Sequence, residues 1–214
     1  MLRVSRAHFP VTSLGPGTRL VVWLQGCPLA CRGCMSLDTW DPAGGTGISE
    51  ARLLRLWRDA LAAGATGLTI SGGEPLAQAA PLTAFLQSAR TCPTDGPEPD
   101  ILLYTGYELA ELDEEGHAAV AAADAVITGR YEAGQPTRLI WRGSANQRLV
   151  PGTPLGAARY AEYLELVPDR APVQIGVDGE RLWVIGVPAP GALPRMERTL
   201  RTQGIRFQEA AWRP

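Results

Sequence analysis

Apolar and polar positions along the chain follow two rhythms. Short runs rich in β-branched and aromatic residues, "RLVVWLQ" at 19–25, "TGLTI" at 66–70, "DILLYT" at 100–105 and "DAVITG" at 124–129, read as buried strands. Between them lie stretches with helical spacing. In "ISEARLLRLWRDALAAG", residues 48–64, Leu53, Leu54, Trp57 and Leu61 share one face with arginines opposite, Ser49 opens the helix and Gly64 closes it. A second helix is expected from about Ala79 to Ala89, and "GYELAELDEEGHAAVAAA" supplies a third helical stretch before the fourth strand. This alternation predicts an α/β fold with a parallel sheet built from right-handed crossovers. Such sheets gather their working loops at the strand C-terminal ends. Here "GCPLACRGC", "SGGEP", "TGY" and "TGRY" come after the four strands in order, so all four unusual loops are expected on one rim.

Past Gly134 the pattern changes. "WRGSANQRLV", residues 141–150, is polar and rich in turn formers, and "PGTPLG" after it reads as a surface loop. "PVQIGVDGERLWVIGVP", residues 172–188, alternates on both sides of Asp178-Gly179, a hairpin signal. The amphipathic "LPRMERTLRTQG" predicts a last helix, and "IRFQEA" a short final strand. The pattern divides the chain into a core over 1–150 and a C-terminal hairpin and helix over 151–214, packed on that core.

Composition narrows the function classes. Hydrophobic residues make up 45% of 214, enough for one sizeable core. Twenty basic residues, every one an arginine, face 22 acidic ones, with no run of like charge, which points away from nucleic-acid and membrane-surface binding. The lack of lysine reads as coding bias more than chemistry. No stretch has the sections of a signal peptide and no apolar run approaches the roughly 20 residues that cross a bilayer, so a cytoplasmic location is expected. Thiols stay reduced there, and clustered cysteines more often hold metal than form disulfides.

Three of the four cysteines, Cys27, Cys31 and Cys34, fall within eight positions of the first loop. Such a loop holds an iron–sulfur cluster, zinc or nothing. Structural zinc takes four protein ligands, but Cys92 lies in another loop and neither His8 nor His117 has ligand spacing. Electron-transfer clusters also take four cysteines. Three leave one iron without a protein ligand, and an open coordination position is where a substrate or cofactor binds at catalytic metals. Cys92 reads as incidental.

The spacing Cys-x-x-x-Cys-x-x-Cys after the first strand, with Gly-Gly-Glu-Pro after the second, resembles the radical S-adenosylmethionine (SAM) superfamily. Within it, "GPGTRLVVWLQGCPLACRGC", the subsequent "TW", "SGGEPLAQ", "ITGRY" and "WRGSANQR" are most similar to the activating proteins of anaerobic ribonucleotide reductase and other short glycyl-radical activases, over about residues 13–150. The resemblance implies a partial (β/α) barrel of radical SAM type. It further implies that Cys27, Cys31 and Cys34 hold three irons of a [4Fe-4S] cluster whose fourth iron is chelated by SAM. Ser71, Gly72, Gly73 and Glu74 would meet the methionine ammonium, the glycines through close backbone approach and Glu74 through charge. Gly33 stands where many relatives carry an adenine-touching aromatic residue, which leaves Met35 or main chain to pack the adenine. Tyr104 and Thr105 offer hydroxyls for the ribose. Arg130 keeps a basic position near the SAM carboxylate, while Thr128 replaces an acid found in related activases. Arg142, Ser144, Asn146 and Gln147 form a polar patch suited either to a substrate cleft or to capping a loop.

The activity this resemblance implies is reductive cleavage of SAM to a 5′-deoxyadenosyl radical and hydrogen abstraction from a protein or peptide substrate, a glycyl-radical enzyme first. Flavodoxin or ferredoxin would supply the electron. Two readings stand beside it: modification of a ribosomal peptide or small molecule, and an iron–sulfur redox sensor or electron-transfer protein.

Overall fold

A computed structural model describes residues 1–179, 181–207 and 210–211. The four apolar runs form strands β2 (Arg19–Leu24), β4 (Gly67–Gly72), β5 (Asp100–Tyr104) and β6 (Ala125–Thr128), paired side by side in parallel. Nearly every residue in them is buried, because a parallel strand is covered on both faces and has no solvent side on which polar residues could alternate. Three further strands, not anticipated from the sequence, widen the sheet antiparallel to their neighbours. β1 (Leu2–Val11) pairs with β2, β3 (Thr46–Ile48) with β1, and β7 (Arg148–Pro151) with β6. The spatial order is β3-β1-β2-β4-β5-β6-β7.

Alternation decides which face each side chain serves. Leu20, Val22 and Leu24 of β2 face a core built with α1 (Glu50–Ala62) and α2 (Ala79–Arg90), through Leu53, Trp57, Leu82, Phe85 and Leu86. α3 (Glu114–Ala121) contributes Val120 to the same core. Ser49 caps α1 by accepting from the Arg52 N–H, and Gly64 stands just past its end at φ +92°, as the sequence predicts. Val21 and Trp23 point the other way, into a smaller core with Val11, Leu14 and Ile185. The second face thus belongs to the C-terminal part of the chain.

That part corrects two expectations. "PGTPLG" is not a surface loop: Thr153 caps α4 (Pro154–Tyr160), with Pro154 in the first turn where its missing N–H costs nothing. Gly156 permits the close seat of α4, since a Cβ there would lie 1.9 Å from the Asp124 carbonyl oxygen. The helix carries Tyr160 and Arg159 to the start of the sheet. There Asp100, fully buried, accepts from Arg19 (2.8 Å), from Arg159 (2.9 Å) and from the Tyr160 hydroxyl. The hairpin of β8 (Val173–Asp178) and β9 (Arg181–Gly186) and the helix α5 (Ala192–Thr202) stand where the pattern predicts them. Of the expected strand "IRFQEA", residues 205–207 have no sheet partners among the described residues, and Gln208 and Glu209 lie outside them.

Candidate functional site

The loops after β2, β4, β5 and β6 meet along one rim, fastened by short hydrogen bonds. Gly73 N–H donates to Leu24 O (2.9 Å) and Glu74 N–H to Gly26 O (2.9 Å), which ties the second loop to the first. Glu74 then reaches the third: its buried carboxylate accepts from Thr105 Oγ1 (2.8 Å), Gly106 N–H (2.7 Å) and Leu76 N–H (2.8 Å). Gly129 N–H donates to Tyr107 O (3.2 Å) and joins the fourth. Burial holds the Glu74 carboxyl above its ordinary value, although all three donors and Arg130 pull it down.

The glycines are present for packing as much as for approach. Gly72, at φ +115°, would place a Cβ 2.3 Å from Leu24 O, and Gly73 would place one 2.3 Å from Gly26 O. Gly106 lies under the cysteine loop, where a Cβ would meet Leu29 at 2.3 Å. The second and third loops are therefore the bed on which the first one rests.

The three cysteines are half-buried and unbridged. Gly26 and Gly33, at φ +96° and +81°, turn the loop back on itself, and Gly26 N–H and Cys27 N–H donate to Thr39 O (2.8 Å) and Trp40 O (3.1 Å). Burial pushes the Cys27 thiol up, opposed by the backbone N–H groups of Leu29 and Ala30. Ser36 N–H donates to the Cys34 sulfur at 3.4 Å. Among the described residues no three His, Cys, Asp or Glu side chains converge on one ion position. A zinc ion would draw thiolates to about 2.3 Å from a single centre. A four-iron cluster takes one cysteine per iron and spaces them more widely, and hydrogen bonds to sulfur tune such clusters. The donor set, three thiols on one loop with a backbone N–H on the Cys34 sulfur, suits such a cluster.

A cleft of about 1040 Å³ opens beside this loop on the face away from α1 and α2. Of the predicted site residues, Cys34, Met35, Ser71 and Gly72 line it, joined by Tyr104 and Gln147. The others take up positions around it. Gly33 lies against Tyr131, itself in the cleft wall. Thr105 is buried with its hydroxyl between Glu74 and Tyr107 N–H, and the Tyr104 hydroxyl donates to Trp141 O (3.2 Å), so both hydroxyls are occupied within the chain. Arg130 forms a two-pronged pair with the Glu111 carboxylate (2.8 and 2.9 Å) and lies 5.5 Å from the centre of the Tyr107 ring.

The polar patch ties loops together. Asn146 donates to Arg130 O (2.8 Å), Gln147 binds both Gly143 N–H (2.7 Å) and Gly129 O (2.9 Å), and Ser144 accepts from Glu132 N–H (3.1 Å). Buried Arg142 spends its guanidinium on the carbonyls of Tyr163 and Leu164. Sequence reasoning missed the aromatic walls. Trp141 lines the cleft at φ +59°, a left-handed backbone that a large residue adopts only under constraint from its surroundings. His8, Trp23 and Trp183 line it from β1, β2 and β9, and no short motif marks them.

The chain matches the family described as a 4Fe-4S single cluster domain over residues 13–150. It is 37% identical to an anaerobic ribonucleoside-triphosphate reductase-activating protein of Vibrio cholerae, over 65% of this chain and 92% of that protein. A Haemophilus influenzae protein of the same description is 36% identical, over 62% and 87%. A crystal structure of QueE from Escherichia coli aligns with 49% of this chain and 52% of its own at 20% identity and a TM-score of 0.37. The family match spans more than half of the chain and these relatives are covered over almost their whole length: the chain belongs to the 4Fe-4S single-cluster family, together with the anaerobic ribonucleoside-triphosphate reductase-activating proteins.

Proposed function

We propose that this protein is a radical SAM activase that takes a hydrogen atom from a glycine of a partner glycyl-radical enzyme. The observation that carries it is one loop with three half-buried thiols, bedded on the Gly72–Gly73 turn and opening on a cleft floored by Ser71 and Gly72. A [4Fe-4S] cluster held by Cys27, Cys31 and Cys34 would supply the single electron for reductive cleavage of SAM.

The chain's own residues would hold and orient. Cys27, Cys31 and Cys34 ligate three irons, and the Leu29, Ala30 and Ser36 N–H groups steady the sulfurs. Ser71 and Gly72 present main chain to the methionine end of SAM, and Met35 packs its adenine. Gly33 leaves space between the loop and Tyr131. Gly73, Glu74 and Thr105 act behind this surface: Glu74 holds three loops in register, which fixes the cluster against the Ser71–Gly72 floor. Arg130, anchored by Glu111, sets a positive charge beside the cysteine loop. The parallel strands support a partial barrel of radical SAM type over 1–150, with 151–214 as an extension packed on it. A flavodoxin or ferredoxin in the cytoplasm would deliver the electron.

Anaerobic reconstitution tests this directly. The full chain should bind four irons per protein in the cubane form, and with SAM and dithionite should release 5′-deoxyadenosine. Cys31→Ser should lose both the cluster's absorption and the product, and a partner enzyme should gain a glycyl radical signal in electron paramagnetic resonance. A full cluster that never cleaves SAM would overturn the proposal.

A further inference from the structure

One wall of the cleft comes from a part of the chain outside the family match. That match ends at residue 150, and the Vibrio cholerae relative is covered over 92% of its length by 65% of this chain. Yet residues 182–188, together with Leu193 and Phe207, line the same cleft as Cys34 and Ser71. The added segment is fastened at several points. Ser13 Oγ donates to Ile185 O (2.9 Å), and the Gln174 side-chain amide accepts from Thr12 N–H (3.2 Å) and donates to Pro10 O (2.9 Å). Leu37 N–H, three residues beyond Cys34, donates to Ala211 O (2.9 Å).

Trp183 is the centre of this wall. Its ring meets His8 edge-on at 4.7 Å, and His8 meets Trp23 at 5.8 Å. The Arg6 guanidinium lies 5.5 Å from the Trp183 ring centre and 5.7 Å from that of Trp23, while pairing with Asp38 at 2.5 Å. Cation and indoles therefore brace one another, and the charge of Arg6 is balanced from the cysteine loop's own side. The result is an apolar, aromatic surface held by core strands, with the Arg6 charge already matched before any occupant arrives.

We infer that the β8–β9 hairpin, through Trp183, selects the substrate: it bars folded protein surfaces from the rim and admits an extended polypeptide segment between β9 and the Cys34–Ser71 floor. This deepens the activase reading and rests on it for the identity of the floor. A stable docking of two folded faces covers about 800 Å² on each partner, whereas this cleft is walled by β9 on one side and by the cysteine loop on the other. Small-molecule sites occupy about 300–1,000 Å³. A cleft of about 1040 Å³ stands at the top of that range, so a ligand of ordinary size leaves part of it for a short length of chain. Aromatic side chains give that chain broad contact at low entropic cost, without reading its charge.

Two measurements test the wall. In the full chain freed of its cluster, labelling of Cys34 by iodoacetamide is compared with labelling by a maleimide on a long polyethylene glycol, each scaled to its rate on a free thiol. The small reagent should win by about tenfold, and Trp183→Ala should bring the ratio towards one while Trp183→Phe keeps it. Equal scaled rates in the unmodified protein would overturn the inference. In the reconstituted enzyme, deuterium from a Cα-deuterated glycine should reach 5′-deoxyadenosine from a flexible peptide and not from the same sequence fixed within a folded carrier, unless Trp183 is replaced by alanine. Equal transfer from both would also overturn it. Absence of 5′-deoxyadenosine from a fully loaded protein would instead strike at the radical reading, with the thiol ratio still deciding the wall.

Discussion

Gly73 sets the height of the cysteine loop. A methyl group there would press into Gly26 O at 2.3 Å and Thr39 O at 2.9 Å, both backbone atoms of the loop it supports. Gly73→Ala is expected to cost about 1–3 kcal/mol, as overpacking does in a filled interior, and to lower iron uptake. Thermal unfolding and iron content on the same preparation check both. Glu74→Gln turns an amide donor towards the Gly106 N–H or the Thr105 hydroxyl and should cost about 1–3 kcal/mol. Its pH signature is specific. Because burial raises the folded-state value above 4.5, the wild-type carboxyl contributes stability that is fully present below that value and lost as pH rises through the raised one. The urea-midpoint gap between wild type and Glu74→Gln should therefore narrow as pH climbs through that window. A gap that widens would mean that the three donors outweigh burial.

At the scale of elements, the strands and helices that the sequence announced are those whose burial leaves one clear rhythm. β2, β4, β5 and β6 are covered on both faces and read as unbroken apolar runs. β1 was illegible because Arg3, Ser5, Arg6 and His8 interrupt it: one part of it borders solvent and another borders the cleft, so polar residues are tolerated along its length. β7 hid behind the turn formers of 141–147, and α4 behind Pro154 and Gly156, although Thr153-Pro154 is a helix-opening pair. The cluster loop was legible to the residue, since ligand spacing is a local property. The cleft walls were not, because they join side chains far apart in sequence. Asp100 shows how strongly one element depends on others. Asp100→Asn would leave the fully buried Arg19 without its countercharge, at an expected cost of about 3–5 kcal/mol in chemical denaturation. Replacing both partners, Arg19→Met with Asp100→Leu, should restore only part of that loss, because Arg159 and the buried Tyr160 hydroxyl lose their acceptor.

At the scale of the whole molecule, the hairpin meets the core through side-chain hydrogen bonds and through apolar packing. Ile185, buried among Val11, Leu14, Val21 and Trp23, is the apolar anchor of the hairpin on the core. Ile185→Ala should raise amide exchange across residues 173–186 and leave β4, β5 and β6 protected, since the hairpin opens as its own unit. Exchange that rises everywhere would show that the hairpin and sheet unfold together. α4, which follows residue 150, packs on the sheet against β6 and β7. Arg159 and Tyr160 complete the shell of Asp100, whose side chain is sealed from solvent. Trimming the protein to the 13–150 span shared by its family would therefore yield a fragment with its keystone cracked. Anyone seeking a minimal version should cut beyond α4.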